Sequence, residues 1–306
     1  MEILIYGFGR MGITHYSILN SILLDANFTF IEPNKMLNLI SKKNIKGNFL
    51  TSDDKIKKSF DLTLITTPPF IHKELTEKCI NRGDKVVFVE KPFGGHSNTS
   101  FDLKEKNIFI GYVLRFNPIV NWIKENINPD DVLECSAKYL SNTIEKKPTG
   151  WRNDQYSGVL NEMGSHVLDM INYLFKIEDF QITKSELNSV VSDVDDEVKV
   201  SLLSKERNFN FYFNWVDKSL RKPVFQGEIK LKNNDFIIFD QQKIVIRKEK
   251  EEQTISVVDL DQQIPFYIRG VDFTKQMQDL VDKRKVACTL DEAITVNRLM
   301  KEIVKR

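Results

Sequence analysis

"ILIYGFGRMG", residues 3–12, decides how the first third of this chain is read. Its opening four residues are an apolar run of the kind that forms a strand covered on both faces. The run passes straight into Gly-x-Gly-x-x-Gly, and Ile13, Tyr16, Ile18 and Leu19 then follow at helical spacing. In a strand–turn–helix unit each glycine has its own task. Gly7 makes the tight turn, Gly9 lets the backbone approach a pyrophosphate, and Gly12 packs helix on strand. The start of the helix offers N–H groups and the positive end of its dipole to the phosphates. Gly7, Phe8, Gly9, Arg10, Met11 and Gly12 are therefore expected to hold a dinucleotide.

"FTFIEPN", residues 28–34, supplies the context that this motif needs. A second strand ends at Glu32, twenty residues past Gly12, where the acid of such a unit binds the adenosine ribose hydroxyls. A carboxylate there repels a 2′-phosphate, so NAD is the expected cofactor, and the nearby Lys35 keeps NADP as the less favoured one. Strands follow at residues 62–66, 85–90 and 107–113, with the helical "HKELTEKCINRG" between the first two. This alternation predicts a doubly wound parallel sheet, whose ligands bind at the carboxyl ends of the strands. "TTPPF" and "EKPFGG" occupy such ends, which makes Thr66, Thr67, Pro68, Glu90 and Lys91 candidates for the cofactor cleft.

Composition bounds the partners. A chain of 306 residues with 41% hydrophobic side chains can bury a sizeable core in one large domain or two. Lys plus Arg number 44 against 43 for Asp plus Glu, so no net field attracts nucleic acid or an anionic membrane. The three widely spaced cysteines (Cys79, Cys135, Cys288) form no Cys-x-x-Cys pair. Neither a disulfide framework nor a bound metal is expected, and a reducing cytoplasm fits. The N-terminus does not read as a signal peptide, and no stretch approaches the length of a membrane span.

Past residue 113 the pattern changes to short strands in succession. In "FNFYFNW" Phe209, Phe211, Phe213 and Trp215 share one face and Asn210, Tyr212 and Asn214 the other, the period-two mark of a sheet covered on one side. The fold class expected is α/β: an N-terminal Rossmann sheet followed by an α+β domain with a largely antiparallel open sheet. Ahead of these strands lies "GVLNEMGSHVLDM", residues 158–170. At about 100° per residue, Leu160, Met163, Val167, Ile171 and Leu174 make a core stripe. Glu162, His166, Asp169 and Tyr173 make a second stripe, which is either the wet side of a helix or chemistry.

These residues resemble the glucose–fructose oxidoreductase, inositol dehydrogenase and rhizopine-catabolism oxidoreductase family. Thr66-Thr67-Pro68-Pro69, with His72 after it, is similar to the family's Thr-Pro loop, and Glu90-Lys91-Pro92 to its Glu-Lys-Pro signature. "GYVLRFNP", "WR" at 151–152, "SGVLNEMGSHVLD" and the closing "GVDFTKQMQDLVDKRK" and "TLDEAITVNRLM" continue the likeness in order. Two positions depart from Gly-Gly-x-Leu-x-Asp-x-Gly-x-His-x-x-Asp: Ser157 stands for the first Gly, and Glu162 for an acid that many members carry as Asp.

The resemblance implies a dinucleotide domain over 1–113 and a substrate and oligomerisation domain over 114–306, its last helices being candidates to pack back on the first. It adds His72 to the cofactor residues. It implies catalysis by Lys91, His166 and Glu162, substrate contacts from Arg115, Trp151, Arg152 and Asp169, and a homodimer or homotetramer formed through the open sheet. Oxidation of a carbinol needs a base near neutral pH, a role that suits histidine, with Lys91 on the developing alkoxide. The expected activity is NAD-dependent hydride transfer at a secondary alcohol of a sugar, nucleotide sugar or cyclitol. Two alternatives are an NAD-retaining glycosidase, marked by cofactor held through purification without net turnover, and a dinucleotide-binding regulator without catalysis.

Overall fold

A computed structural model of the chain describes residues 1–95, 107–154, 156–177, 179–260, 270–282 and 286–305. The first elements are β1 (Glu2–Tyr6), α1 (Arg10–Ile22), β2 (Asn27–Ile31), α2 (Lys35–Asn44), β3 (Asn48–Leu50), β4 (Leu62–Ile65), α3 (His72–Arg82), β5 (Val87–Val89) and β6 (Ile108–Ile110). Then come α4 (Pro118–Asn126), β7 (Val132–Leu140), α5 (Ser165–Phe175), β8 (Gln181–Asn188), β9 (Glu197–Ser204), β10 (Arg207–Asn214) and β11 (Val224–Leu231). The chain closes with β12 (Phe236–Phe239), β13 (Lys243–Arg247), β14 (Glu252–Ser256), α6 (Val257–Leu260), α7 (Val271–Asp282), β15 (Cys288–Thr289) and α8 (Leu290–Val304). They divide into two compact units: Met1–Gly94, Ser100–Val113 and Phe266–Ile294 in the first, Gly95–Thr99, Leu114–Pro265 and Thr295–Arg306 in the second.

The sheet of the first unit has the order β15-β6-β5-β4-β1-β2-β3, parallel throughout except where β15 meets β6. Strand order reverses at β1 and β4, and the carboxyl end at that reversal is where such sheets bind ligands. Ile3, Leu4, Ile5 and Leu64 are completely buried, as strands covered on both faces require. The short α2 and β3 go beyond the sequence expectation. Asn34 starts α2 by accepting the N–H groups of Met36 and Leu37. The weak apolar periodicity of "KMLNLISKKN" hides this helix, because Asn38 and Ser41 face inward while Met36, Leu39 and Ile40 stay exposed. The inward amide of Asn38 donates to the carbonyls of Glu32 and Leu50, joining the ends of β2 and β3.

The second unit is built on a sheet of order β14-β13-β12-β11-β7-β10-β9-β8, antiparallel except for the pair β7–β10. Phe209, Phe211, Phe213 and Trp215 are all buried, as their alternation predicts. The Trp215 indole N–H donates to Asp196 Oδ1 at 2.5 Å, so the one polar atom of that row has a partner. Across the sheet Asn210 donates to Glu134 and accepts from Ser201, while Tyr212 donates to Glu197.

The stretch from residue 158 is not a plain α-helix. Leu160–Gly164 is a π turn, and α5 continues from it. Two packing facts bracket that wider turn. Asp195 takes the Leu160 N–H at 2.7 Å, and Gly164 lies so close to Phe213 that a Cβ would sit 2.9 Å from its ring. The predicted core stripe of Leu160, Met163, Val167, Ile171 and Leu174 is buried. The second stripe is not simply wet: Asp169 is fully buried, whereas Glu162, His166 and Tyr173 are half-buried.

Candidate active site

In the first unit the predicted cofactor residues gather at the carboxyl ends of β1, β2, β4 and β5. Gly7 adopts φ +80° and Gly12 packs so tightly that a Cβ would meet Gly7 O at 2.2 Å. Only glycine fits either place. Gly9 differs, because a Cβ there would meet nothing within 4 Å. The protein's own packing does not require that glycine, and the open space suits a ligand that approaches the backbone. α1 begins there without a side-chain cap, and Gly9 takes the cap position. The Phe8 ring is buried edge-on against Tyr16, Phe30 and Phe49, so Phe8 can serve a ligand through its backbone alone. Arg10 is exposed and Met11 half-buried.

Glu32 is buried at the end of β2 and is held against this loop. Its Oε2 accepts the Phe8 N–H at 2.8 Å and its Oε1 the Asn34 N–H at 2.9 Å. On the neighbouring strand Thr66 Oγ1 lies 2.7 Å from Gly7 O and 2.9 Å from Tyr6 O, which locks the loop after β4 under the glycine turn. Thr67 Oγ1 is buried and has no hydrogen-bond partner among the described residues, and Pro68 leads into a short turn at Pro69–Ile71. These features fit a dinucleotide: an acid for ribose hydroxyls, an uncapped helix start, a space cleared of Cβ and a spare hydroxyl.

His72 sits deeper than a ligand contact would. It is wholly buried, with Nε2 2.7 Å from Thr67 O and Nδ1 3.1 Å from Pro92 O. Burial lowers its pKa below the usual histidine value, which favours the neutral ring. It ties the loop after β4 to the Glu90-Lys91-Pro92 turn.

Glu90 is bound in turn by a residue whose role the sequence did not disclose. His15 of α1, fully buried, places Nε2 2.6 Å from Glu90 Oε1. Its ring lies edge-on to Phe88 at 5.2 Å. The helix that starts at the glycine loop is thereby fastened to the residue before Lys91. The only sequence signal was a histidine three positions after the last glycine. Lys91 follows β5 and is half-buried.

In the second unit Glu162 and His166 stand on the π turn and the first turn of α5. The Ser157 hydroxyl donates to Glu162 Oε1 at 2.9 Å. Gly158 adopts φ +101°, and a Cβ on it would fall 2.3 Å from Asp195 Oδ1. Burial raises the Asp195 carboxyl to about 7, against the helix start that it caps. Nothing in the sequence pointed to Asp195.

Arg115 and Asp169, expected as substrate contacts, are instead brought onto each other. Arg115 Nε and Nη2 donate to the two carboxylate oxygens at 2.9 and 2.7 Å, and the two residues are only 1% and 0% exposed. This buried fork fastens α5 to the turn at Val113–Phe116. Trp151 and Arg152 lie on a separate turn at Gly150–Asn153, the guanidinium 5.5 Å from the indole centroid. That turn is tied to the segment before Asp195 through Asn153 and Asp193. No group of three metal-ligating side chains occurs among the described residues, and no described helix is long and apolar enough to cross a membrane.

Residues 1–106 match the oxidoreductase family with an NAD-binding Rossmann fold. Over that stretch, about a third of the chain, the protein is similar to this family. It is 24% identical over 171 residues to a glucose-6-phosphate 3-dehydrogenase of Bacillus subtilis (strain 168), a match over 51% of this chain and 48% of that relative. The alignment thus spans about half of the curated relative's length. In fold the chain is similar to a levoglucosan dehydrogenase solved with NADH and levoglucosan: TM-score 0.84, 18% identity, 100% of this chain and 96% of that one. A UDP-N-acetylglucosamine 3-dehydrogenase from Acidithiobacillus ferrooxidans aligns over the same shares at TM-score 0.74 and 15% identity.

Proposed function

We propose that this protein is an NAD-dependent dehydrogenase that moves a hydride between the nicotinamide and a secondary alcohol of a sugar or nucleotide sugar. The observation that carries the reading lies in the first unit. A lysine follows β5, beside the β4 and β1 ends whose loops suit a dinucleotide, and it is joined to α1 through Glu90 and His15. The dehydrogenase names of the relatives support the substrate class, each for its own protein.

Bound NAD supplies a hydride acceptor. Lys91, as an ammonium, hydrogen-bonds the carbinol oxygen and stabilises the alkoxide as the C–H bond breaks. His166 accepts the hydroxyl proton and returns it in the reverse reaction. Glu162 binds a neighbouring hydroxyl or orients the imidazole. Arg115 and Asp169 keep α5 in place, and Trp151 with Arg152 offers an aromatic and cationic surface to the sugar. Glu32 favours NAD over NADP, because its carboxylate would face a 2′-phosphate. The open sheet face joins copies of the chain, and three free buried cysteines suit a reducing cytoplasm.

NADH and NADPH titrations, followed by fluorescence, test the cofactor; equal affinities would remove Glu32 from the ribose. NAD reduction with levoglucosan, D-glucose 6-phosphate and UDP-N-acetylglucosamine tests the reaction. Tight NADH binding without turnover of any secondary alcohol in a wider sugar panel would refute the dehydrogenase.

A further inference from the structure

Ser157 and Glu162 are the two positions at which this chain departs from the pattern that its active-site stretch resembles, and they are in contact. Ser157 is 1% exposed and anchored from three directions. Its N–H donates to Asp154 O at 2.8 Å, its carbonyl accepts the Asn161 side-chain amide at 2.8 Å, and its hydroxyl donates to Glu162 Oε1 at 2.9 Å. Glu162 is fixed at its own backbone, where its N–H reaches Gly158 O at 2.9 Å. Both ends of the Ser157–Glu162 bond are therefore held by main chain, and the glutamate side chain is the flexible member. A glutamate carries its carboxylate one methylene beyond an aspartate and adds a rotatable bond, which has to be restrained if the group is to serve a fixed geometry. A glycine at position 157 would supply no donor.

We infer that Ser157 is a positioning residue for Glu162, and that the serine and the longer acid act as one device that sets where the carboxylate meets the sugar. The inference rests on the proposed role of Glu162 in the site and deepens it. The hydroxyl holds one carboxylate oxygen, so the orientation of the acid depends on residue 157 as much as on its own rotamer. An Asp at 162, one methylene shorter, does not meet that hydroxyl in the same way. Substitutions at the two positions are consequently not independent.

A double-mutant cycle tests this on the full-length protein, using Ser157→Ala, Glu162→Asp and both together, with Glu162→Gln as a control. Turnover is measured with NAD and levoglucosan, D-glucose 6-phosphate or UDP-N-acetylglucosamine, NADH affinity by fluorescence, and thermal unfolding without sugar. Ser157→Ala is expected to lower kcat/KM roughly ten- to a hundred-fold, the scale of a misplaced group, with NADH affinity unchanged. It should also lower Tm by about 2–4 °C, as loss of one buried hydrogen bond does in a domain of this size. Adding Ser157→Ala to Glu162→Asp should cost nothing further in rate, because the contact is already lost.

Multiplying rate losses in the double variant would overturn the inference. So would a Tm loss in Ser157→Ala with unchanged turnover, which would leave the bond a purely structural one. Unchanged turnover in Glu162→Gln has a different meaning: the proposed role of Glu162 would fall, and the inference with it.

Discussion

Gly9 and Gly158 open the two helices that carry the candidate chemistry, yet they are glycines for opposite reasons. At Gly9 the backbone is ordinary (φ −77°, ψ −162°) and a Cβ would meet open space. At Gly158 the backbone is left-handed and a Cβ would strike the Asp195 carboxyl. The first glycine leaves room for something that is not protein. The second leaves room for the protein itself. The same contrast runs through their surroundings. Beside the glycine loop Thr67, whose methyl would lie 3.2 Å from a Cβ on Gly7, keeps a buried hydroxyl with no hydrogen-bond partner among the described residues. Around Gly158 stand Asp195, Asn161 and Ser157, whose polar atoms are taken up by the chain's own groups: the Leu160 N–H, the Ser157 carbonyl and the Glu162 carboxylate. A binding loop and a braced helix start can thus share a residue type, and only the neighbours tell them apart.

The largest effects expected separate chemistry from both kinds of support. Lys91→Met and His166→Asn should each reduce turnover by about a hundred- to ten-thousand-fold, the range for losing a proton-transferring or charge-stabilising group. NADH affinity, measured by fluorescence titration, should change little. Wild-type turnover in either variant would return that residue to the ordinary surface. Gly158→Ala comes next and acts on stability. The left-handed backbone costs about 1–3 kcal/mol and the overpacking against Asp195 a similar amount. At about 2–4 °C per kcal/mol in Tm, thermal unfolding should show a clear drop. An unshifted Tm would mean that Asp195 does not brace this turn.

Gly9→Ala should do the reverse. With no protein atom near the added methyl, Tm should stay within about 1 °C. NADH affinity should fall roughly ten-fold or more, because the methyl occupies the space through which a pyrophosphate approaches the backbone. Destabilisation with intact NADH binding would erase the distinction drawn between the two glycines.

The first unit was more legible from sequence than the second for reasons that these glycines illustrate. Ligand-facing features come from local order: a strand, three glycines, a helix, and an acid at the end of the next strand. All of them lie within one short stretch of chain. The alternation in "FNFYFNW" was equally local, and its buried row follows from it. What the sequence hid was long-range. Arg115 and Asp169 looked like substrate contacts, yet they are a buried pair 54 residues apart. His15 meets Glu90 across 75 residues, and Asp195 reaches Leu160 across 35. The π turn could not be read from the spacing either, since Leu160, Met163 and Val167 suit an α-helix, and it is packing from Asp195 and Phe213 that meets the turn at its two ends.

The smallest effect expected is the most specific to the braced helix. Asp195 is half-buried, and desolvation of its carboxyl raises the pKa from 3.8 to about 7. An unfolded chain has no such burial, so between about pH 4 and pH 7 the native state holds a proton that the unfolded state releases. Native stability from this group is therefore full at low pH and is lost as pH rises through 7. Asp195→Asn keeps an oxygen that can accept the Leu160 N–H at the helix start and removes the ionisation. The Tm of Asp195→Asn relative to the wild type should thus increase steadily from about pH 4 to pH 8 and level off above it, whatever the other carboxylates do, since they are common to both proteins. A difference that stays flat, or that falls as pH rises, would show that Asp195 is ionised against the helix start. Its contact with Gly158 would then be one of charge and helix dipole rather than of a neutral acid packed against a glycine.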